Sequence, residues 1–150
     1  MPREPRETIP AAMCGRYSLT VTKAALMERF PGEAQALVHE PRYNVAPTQR
    51  APVIRAGPAG RQWMSAIWGF PGANPFRTIN ARVETLDARP LFRRRIVEGR
   101  CLVPADGFYE WPRKAGPRPG QAPMRYVLRD RSPFAMAGLW MDGPPSDGAP

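Results

Sequence analysis

One histidine and two cysteines in 150 residues are too few for several common chemistries. A structural zinc site takes about four Cys, His or carboxylate ligands, so His39, Cys14 and Cys101 argue against one, and neither metal nor cofactor is expected. Two widely separated cysteines do not form a disulfide framework. They fit a reducing compartment, and the cytoplasm is the expected location. No apolar run approaches the roughly 18 residues of a membrane-spanning helix, so no membrane association is expected. The opening MPREPRETIPAA lacks the apolar centre of a secretory signal. Acidic residues are also scarce, at 13 against 22 basic ones, leaving a net charge of +9. That surplus favours a polyanionic partner, nucleic acid first, although a GC-rich gene yields the same arginine bias.

With 43% hydrophobic residues and the length of one domain, the chain is expected to bury a core. Residues 1–12 and 142–150 read as structureless flanks around one domain over 13–141. The spacing in TKAALMERF predicts a helix capped by Thr22 and stopped at Pro31. RYNVAPTQ (42–49) reads as an irregular loop because Pro47 forces its neighbour out of helix. APVIRA and RQWMSAIWGF predict a strand pair joined at GPAG. PGANPFRTINAR (71–82) reads as loop, and a short helix is expected from Pro90 to Gly99. In RCLVPADGFYEW (100–111), ADG marks a turn. RKAGPRPGQAP reads as a hairpin tip, and MRYVLR and FAMAGLWM as strands. The fold class is α+β, mainly short antiparallel strands with a few helices.

The stretch MCGRY at 13–17 raises a specific possibility. If Met13 is the initiator, its removal makes Cys14 the first residue and gives it a free α-amine beside its thiol. Such a 1,2-aminothiol suits an aldehyde: the amine forms a Schiff base and the sulfur closes a thiazolidine ring. A terminal amine, with a pKa of about 7.7–8, is substantially neutral at physiological pH, unlike lysine.

MCGRY, YNVAPTQ, WGF followed by INARVET, RCLVPADGFYEW and AGLW occur in this order. Together they resemble the SOS response-associated peptidase (SRAP) family, whose members crosslink to abasic sites in single-stranded DNA. The resemblance implies a barrel-like sheet core and makes Cys14 the nucleophile. It also implies that Glu110, flanked by Tyr109 and Trp111, is a partly desolvated carboxylate that shuttles protons. Asn80 then positions the sugar or the Cys14 amine. Arg16 and Arg82 become phosphate contacts, Asn44 lines the site, and the partner is single-stranded DNA bound by a monomer. Peptidase activity on a leader or another protein is the alternative that the family name carries, and an inactive truncated remnant is the other. Taken singly, each residue has a plainer reading: a core cysteine, an ion-paired glutamate, a turn asparagine, a solvated arginine. FRRR (92–95) reads as a solvated helix face. Trp68, Trp111 and Trp140 read as core anchors rather than base-stacking platforms.

Three departures from the family pattern shape the expectations. The family's His-Asp-Arg-Met-Pro-like motif does not follow AGLW, and His39 lies in the wrong region to replace it. The expectation is therefore a C-terminally truncated domain, with 134–141 left as an apolar edge. Residues 1–12 would block the Cys14 amine, which suggests a start at Met13 or a cleaved leader. The loop after WGF offers only Phe76 as a wedge into DNA.

Overall fold

A computed structural model describes residues 14–35, 37–71, 77–111 and 122–143. The expectations for 1–12 and for Phe76, and those for residues 113–121 of the hairpin tip and 144–150 of the tail, lie outside these residues. Eight strands form two four-stranded antiparallel sheets. The first sheet has β1 (Arg16–Leu19), β2 (Arg42–Val45), β6 (Gly107–Glu110) and β7 (Met124–Tyr126), in the order β2-β1-β6-β7. The second has β3 (Arg50–Gly57), β4 (Gly60–Ile67), β5 (Arg100–Ala105) and β8 (Phe134–Leu139), in the order β4-β3-β5-β8. With two helices, the α+β expectation is borne out. The barrel-like core is not. These strands, sheets and helices are those of the described residues, among which no ladder joins an edge of one sheet to an edge of the other, and closure requires that pairing.

Local chemistry accounts for most elements. Helix α1 (Lys23–Arg29) starts where the Thr22 hydroxyl accepts from the Ala25 N–H at 3.2 Å, and it ends at Phe30 before Pro31. Helix α2 (Pro90–Glu98) carries Pro90 in its first turn, where no N–H is needed, and closes at Gly99. β3 and β4 pair along their whole length from Arg50↔Ile67 to Gly57↔Gly60. Gly60 takes a φ of +119°, which only glycine adopts without strain. The reading of 42–49 as loop fails over its first half. Residues 42–45 form β2 because β1 supplies backbone partners, Tyr17 opposite Val45 and Leu19 opposite Arg42. Pro47 acts only beyond the strand, where Thr48 turns the chain at a φ of +71°.

The core lies between the two sheets and α1. Tyr17, Leu19, Leu26, Val45, Ile54, Trp63 and Ala105 are buried there together. Each fully buried leucine such as Leu26 contributes about 1.5–3 kcal/mol. Trp63, 1% exposed, also donates its indole N–H to the Phe30 carbonyl at 3.2 Å, tying β4 to the end of α1. β5 leaves the second sheet at Ala105 and enters the first as β6 after a single bend at Asp106. β8 is an edge strand of half-buried residues, pairing with β5 from Arg100↔Leu139 to Ala105↔Phe134. No helix is long and apolar enough to cross a membrane among the described residues.

Candidate functional site

Alternation along β1 divides its residues between the two faces of its sheet. Tyr17 and Leu19 turn into the core, whereas Arg16 shares its pair position with Tyr109 of β6, which in turn lies opposite Arg125 of β7. On this outer face the Arg16 guanidinium donates to Asn44 Oδ1 at 2.9 Å. The Tyr109 hydroxyl donates to the Tyr43 carbonyl at 2.8 Å. Arg16, Tyr43, Asn44, Tyr109, Trp111 and Pro123 line an open cleft of about 440 Å³. The reading of Trp111 as a core anchor is therefore corrected. It is 45% exposed at the cleft wall, because β6 ends at Glu110 and the next side chain falls beyond the sheet. Trp68 does pack against the core, with its ring centroid 5.4 Å from Tyr17. Trp140 is half-buried with the Arg55 guanidinium 4.7 Å above its ring.

Cys14 sits half-buried just before β1. Its thiol donates weakly to the Arg16 carbonyl at 3.4 Å. Its own carbonyl accepts from the Asn80 side-chain amide at 3.0 Å. Burial pushes the Cys14 thiol above its ordinary pKa, and the nearby Glu110 carboxylate pushes it further. Backbone hydrogen bonds at Arg16 and Tyr109 offset part of that rise. The sequence thus places Cys14, Asn80 and Glu110 far apart, and the fold brings them together. Asn80 reaches its position because the residues just before it are pinned to Trp68 and Phe70, just beyond the end of β4. Phe70 and Thr78 exchange backbone hydrogen bonds, and the Trp68 indole donates to the Ile79 carbonyl at 2.9 Å.

Of the three residues expected to contact DNA, Arg16 and Asn44 are exposed, hydrogen-bonded partners in the cleft. Arg82 is exposed at the start of a single 3₁₀ turn, Val83–Thr85. Among the described residues no hydrogen bond joins its guanidinium to the cluster. The arginines of FRRR serve α2 itself: Arg94 pairs with Glu98 at 2.6 Å, and Arg93 donates to the Asp87 carbonyl at 3.0 Å. His39 donates its Nε2–H to the Val21 carbonyl at 2.8 Å, so it supports a loop rather than activating the thiol. Among the described residues no group of three His, Cys, Asp or Glu side chains could hold a metal ion.

Two residues were missed by the sequence reading. Asp106, read as part of a turn, is a buried carboxylate that takes hydrogen bonds from the Ser18 and Thr20 hydroxyls, the Thr20 and Val21 amides and the Arg125 guanidinium. Burial pushes its carboxyl upward, but the bonds from Ser18, Thr20 and Arg125 outweigh that and hold it below the usual carboxylate range. Tyr17 carries a buried hydroxyl with no hydrogen-bond partner among the described residues, and burial pushes its pKa up to about 12. Nothing in the alternation of RYSL distinguishes this tyrosine from an ordinary core residue.

Residues 13–149 match the family described as SOS response associated peptidase (SRAP). The chain is similar to abasic site processing protein YoaM of Bacillus subtilis, at 36% identity over 85% of this chain and 59% of that one. It also resembles abasic site processing protein HMCES of Xenopus tropicalis, at 30% identity over 68% of this chain and 40% of that one. Among solved structures, a phage-related protein from Bordetella bronchiseptica superposes with a TM-score of 0.65 at 31% identity, covering 87% of this chain and 63% of that one. The chain spans about 60% of the length of the Bacillus relatives it matches.

Proposed function

Because the chain belongs to the SOS response-associated peptidase family, we propose that it processes abasic sites in DNA, capturing the lesion covalently through Cys14. Relatives described as abasic site processing proteins support the DNA role. The observation that carries the chemistry is the convergence of Cys14, Asn80 and Glu110 beside a cleft bearing Arg16 and Asn44.

An abasic site opens to a sugar aldehyde. The Cys14 α-amine adds to the aldehyde carbon, and the resulting carbinolamine loses one water to give an imine. The sulfur then adds to the imine carbon while the thiol proton ends on the ring nitrogen, closing a thiazolidine. Glu110 suits both transfers, as a carboxylate that passes a proton from the carbinolamine nitrogen to the departing hydroxyl and then one from the thiol to the ring nitrogen. The raised thiol pKa fits this order, with the sulfur neutral until the imine exists. Asn80 holds the Cys14 carbonyl and so aims the amine. Arg16 and Arg82 supply phosphate contacts on single-stranded DNA, and Asn44 orients the Arg16 fork. Exposed Tyr43 and Trp111 give the cleft aromatic walls suited to unstacked bases.

The chemistry requires a free amine on Cys14, so the reactive form begins at that residue. The test compares the chain initiated at Met13, with that methionine removed, against the full chain, each mixed with a single-stranded oligonucleotide carrying one abasic site. A heat-stable adduct on a denaturing gel, with a mass equal to protein plus DNA less one water, is expected from the first form only. An equally stable adduct from Cys14→Ala, or from a chain that retains residues 1–13, would overturn the thiazolidine assignment.

A further inference from the structure

The reacting residues lie at one end of a very short ladder. Among the described residues β1 and β6 pair at only three positions: Arg16↔Tyr109, Tyr17↔Phe108 and Ser18↔Gly107. Cys14 lies two residues before the first of these pairs, and Glu110 one residue after it. Backbone pairing over three positions specifies register weakly. A slip of one residue would carry Glu110 about 3.4 Å along the strand and turn it to the opposite face.

At the other end of the same ladder sits Asp106, 4% exposed. Its Oδ1 accepts from the Ser18 hydroxyl at 2.7 Å and from Arg125 Nη2 at 2.9 Å. Its Oδ2 accepts from the Thr20 hydroxyl at 2.7 Å, the Val21 amide at 3.1 Å and the Thr20 amide. The Asp106 amide in turn donates to the Ser18 carbonyl at 2.9 Å. One carboxylate therefore grips Ser18, Thr20 and Val21 as β1 ends, while its own backbone leads into β6. Arg125 extends the grip to β7, reaching the Ser18 hydroxyl at 3.0 Å across Gly107. A Cβ on Gly107 would stand 2.6 Å from Arg125 Nε, so the position must be glycine for the arginine to lie there.

We propose that Asp106 is a positioning residue for abasic-site capture, fixing the β1–β6 register that sets Glu110 beside Cys14. The proposal rests on the function proposed above and adds to it a group that never touches the substrate. The weak ladder is locked at the end remote from the chemistry, which leaves the reactive end open to DNA. Truncating the carboxylate frees several donors at once, and β1 and β6 can then slide or fray at the Cys14 end.

The test uses Asp106→Asn, and also Thr20→Val and Thr20→Ser in case the first variant fails to fold. Cross-strand proton contacts between Arg16 and Tyr109 and between Ser18 and Gly107 are followed by NMR on the full chain. Crosslinking rate and DNA affinity are measured separately on the form beginning at Cys14. Asp106→Asn and Thr20→Val are expected to weaken the cross-strand contacts and slow crosslinking by about 10- to 100-fold with DNA affinity unchanged. Thr20→Ser, which keeps the hydroxyl, should restore both. Unchanged contacts and rate in the folded variants would overturn the proposal, as would rate and affinity falling in equal proportion. If the wild-type chain forms no crosslink, the function above fails, and the NMR contacts still decide whether Asp106 sets the register.

Discussion

The Asn80 side-chain amide donates to the backbone carbonyl of Cys14 at 3.0 Å, joining residues 66 positions apart. This bond holds the main chain of the proposed nucleophile without engaging its thiol. A neutral hydrogen bond of this kind contributes about 1 kcal/mol to stability. Its effect on chemistry should be larger, since it fixes the direction of the attacking group.

Asn80→Ala is accordingly expected to lower the crosslinking rate by at least about tenfold while shifting the melting temperature only slightly. Single-turnover gel kinetics alongside thermal melts would check it. A large loss of stability with an unchanged rate would make Asn80 merely structural.

Glu110 should be visible in the titration of Cys14. Its negative charge is one of the causes that raise the thiol pKa, after burial, so Glu110→Gln should lower that pKa. Iodoacetamide labelling followed by mass spectrometry should then show faster alkylation of Cys14 near pH 8 in the variant. Cys101, which burial pushes up to about 11, should stay unlabelled in both proteins. An identical Cys14 profile in the variant would separate the two residues.

The arginines differ from Asn44 in their salt response. Arg16→Ala and Arg82→Ala should each weaken binding to single-stranded DNA regardless of sequence and flatten the salt dependence by about one unit. Asn44→Ala removes no charge, so it should lower affinity through a less ordered Arg16 and leave the slope intact. Fluorescence anisotropy across a salt series distinguishes these outcomes. A slope unchanged by Arg82→Ala would remove that residue from the DNA contact surface.

Asp106 should govern the acid limb of stability. Its folded carboxyl titrates below the ordinary aspartate value of about 3.9, so the carboxylate stabilises the fold above that pH. The contribution is lost as pH falls below about 4 toward the depressed folded value. Asp106→Ala leaves the Ser18 and Thr20 donors and the partly exposed Arg125 without their acceptor and is expected to cost about 1–3 kcal/mol near neutral pH. The gap between wild type and Asp106→Asn in thermal melts should narrow through the same acid window. A constant gap from pH 7 to pH 2 would contradict this account.

Where a cue is local, the sequence decided the outcome alone. Thr22, Pro31, Pro90 and Gly99 mark both helices because capping and the missing proline N–H act within one turn. GPAG marks the β3–β4 hairpin for the same reason. The ordered motifs also identified the family and nominated Cys14, Asn80, Glu110, Arg16, Arg82 and Asn44. What the sequence could not decide depends on partners distant along the chain. RYNV became β2 because β1 offered hydrogen bonds, and Trp111 reached the cleft because β6 stops one residue earlier. The strands formed two open sheets because closure depends on how their edges meet. Asp106 looked like a turn residue, since its role comes from Ser18, Thr20, Val21 and Arg125, which only the tertiary fold brings to one carboxylate.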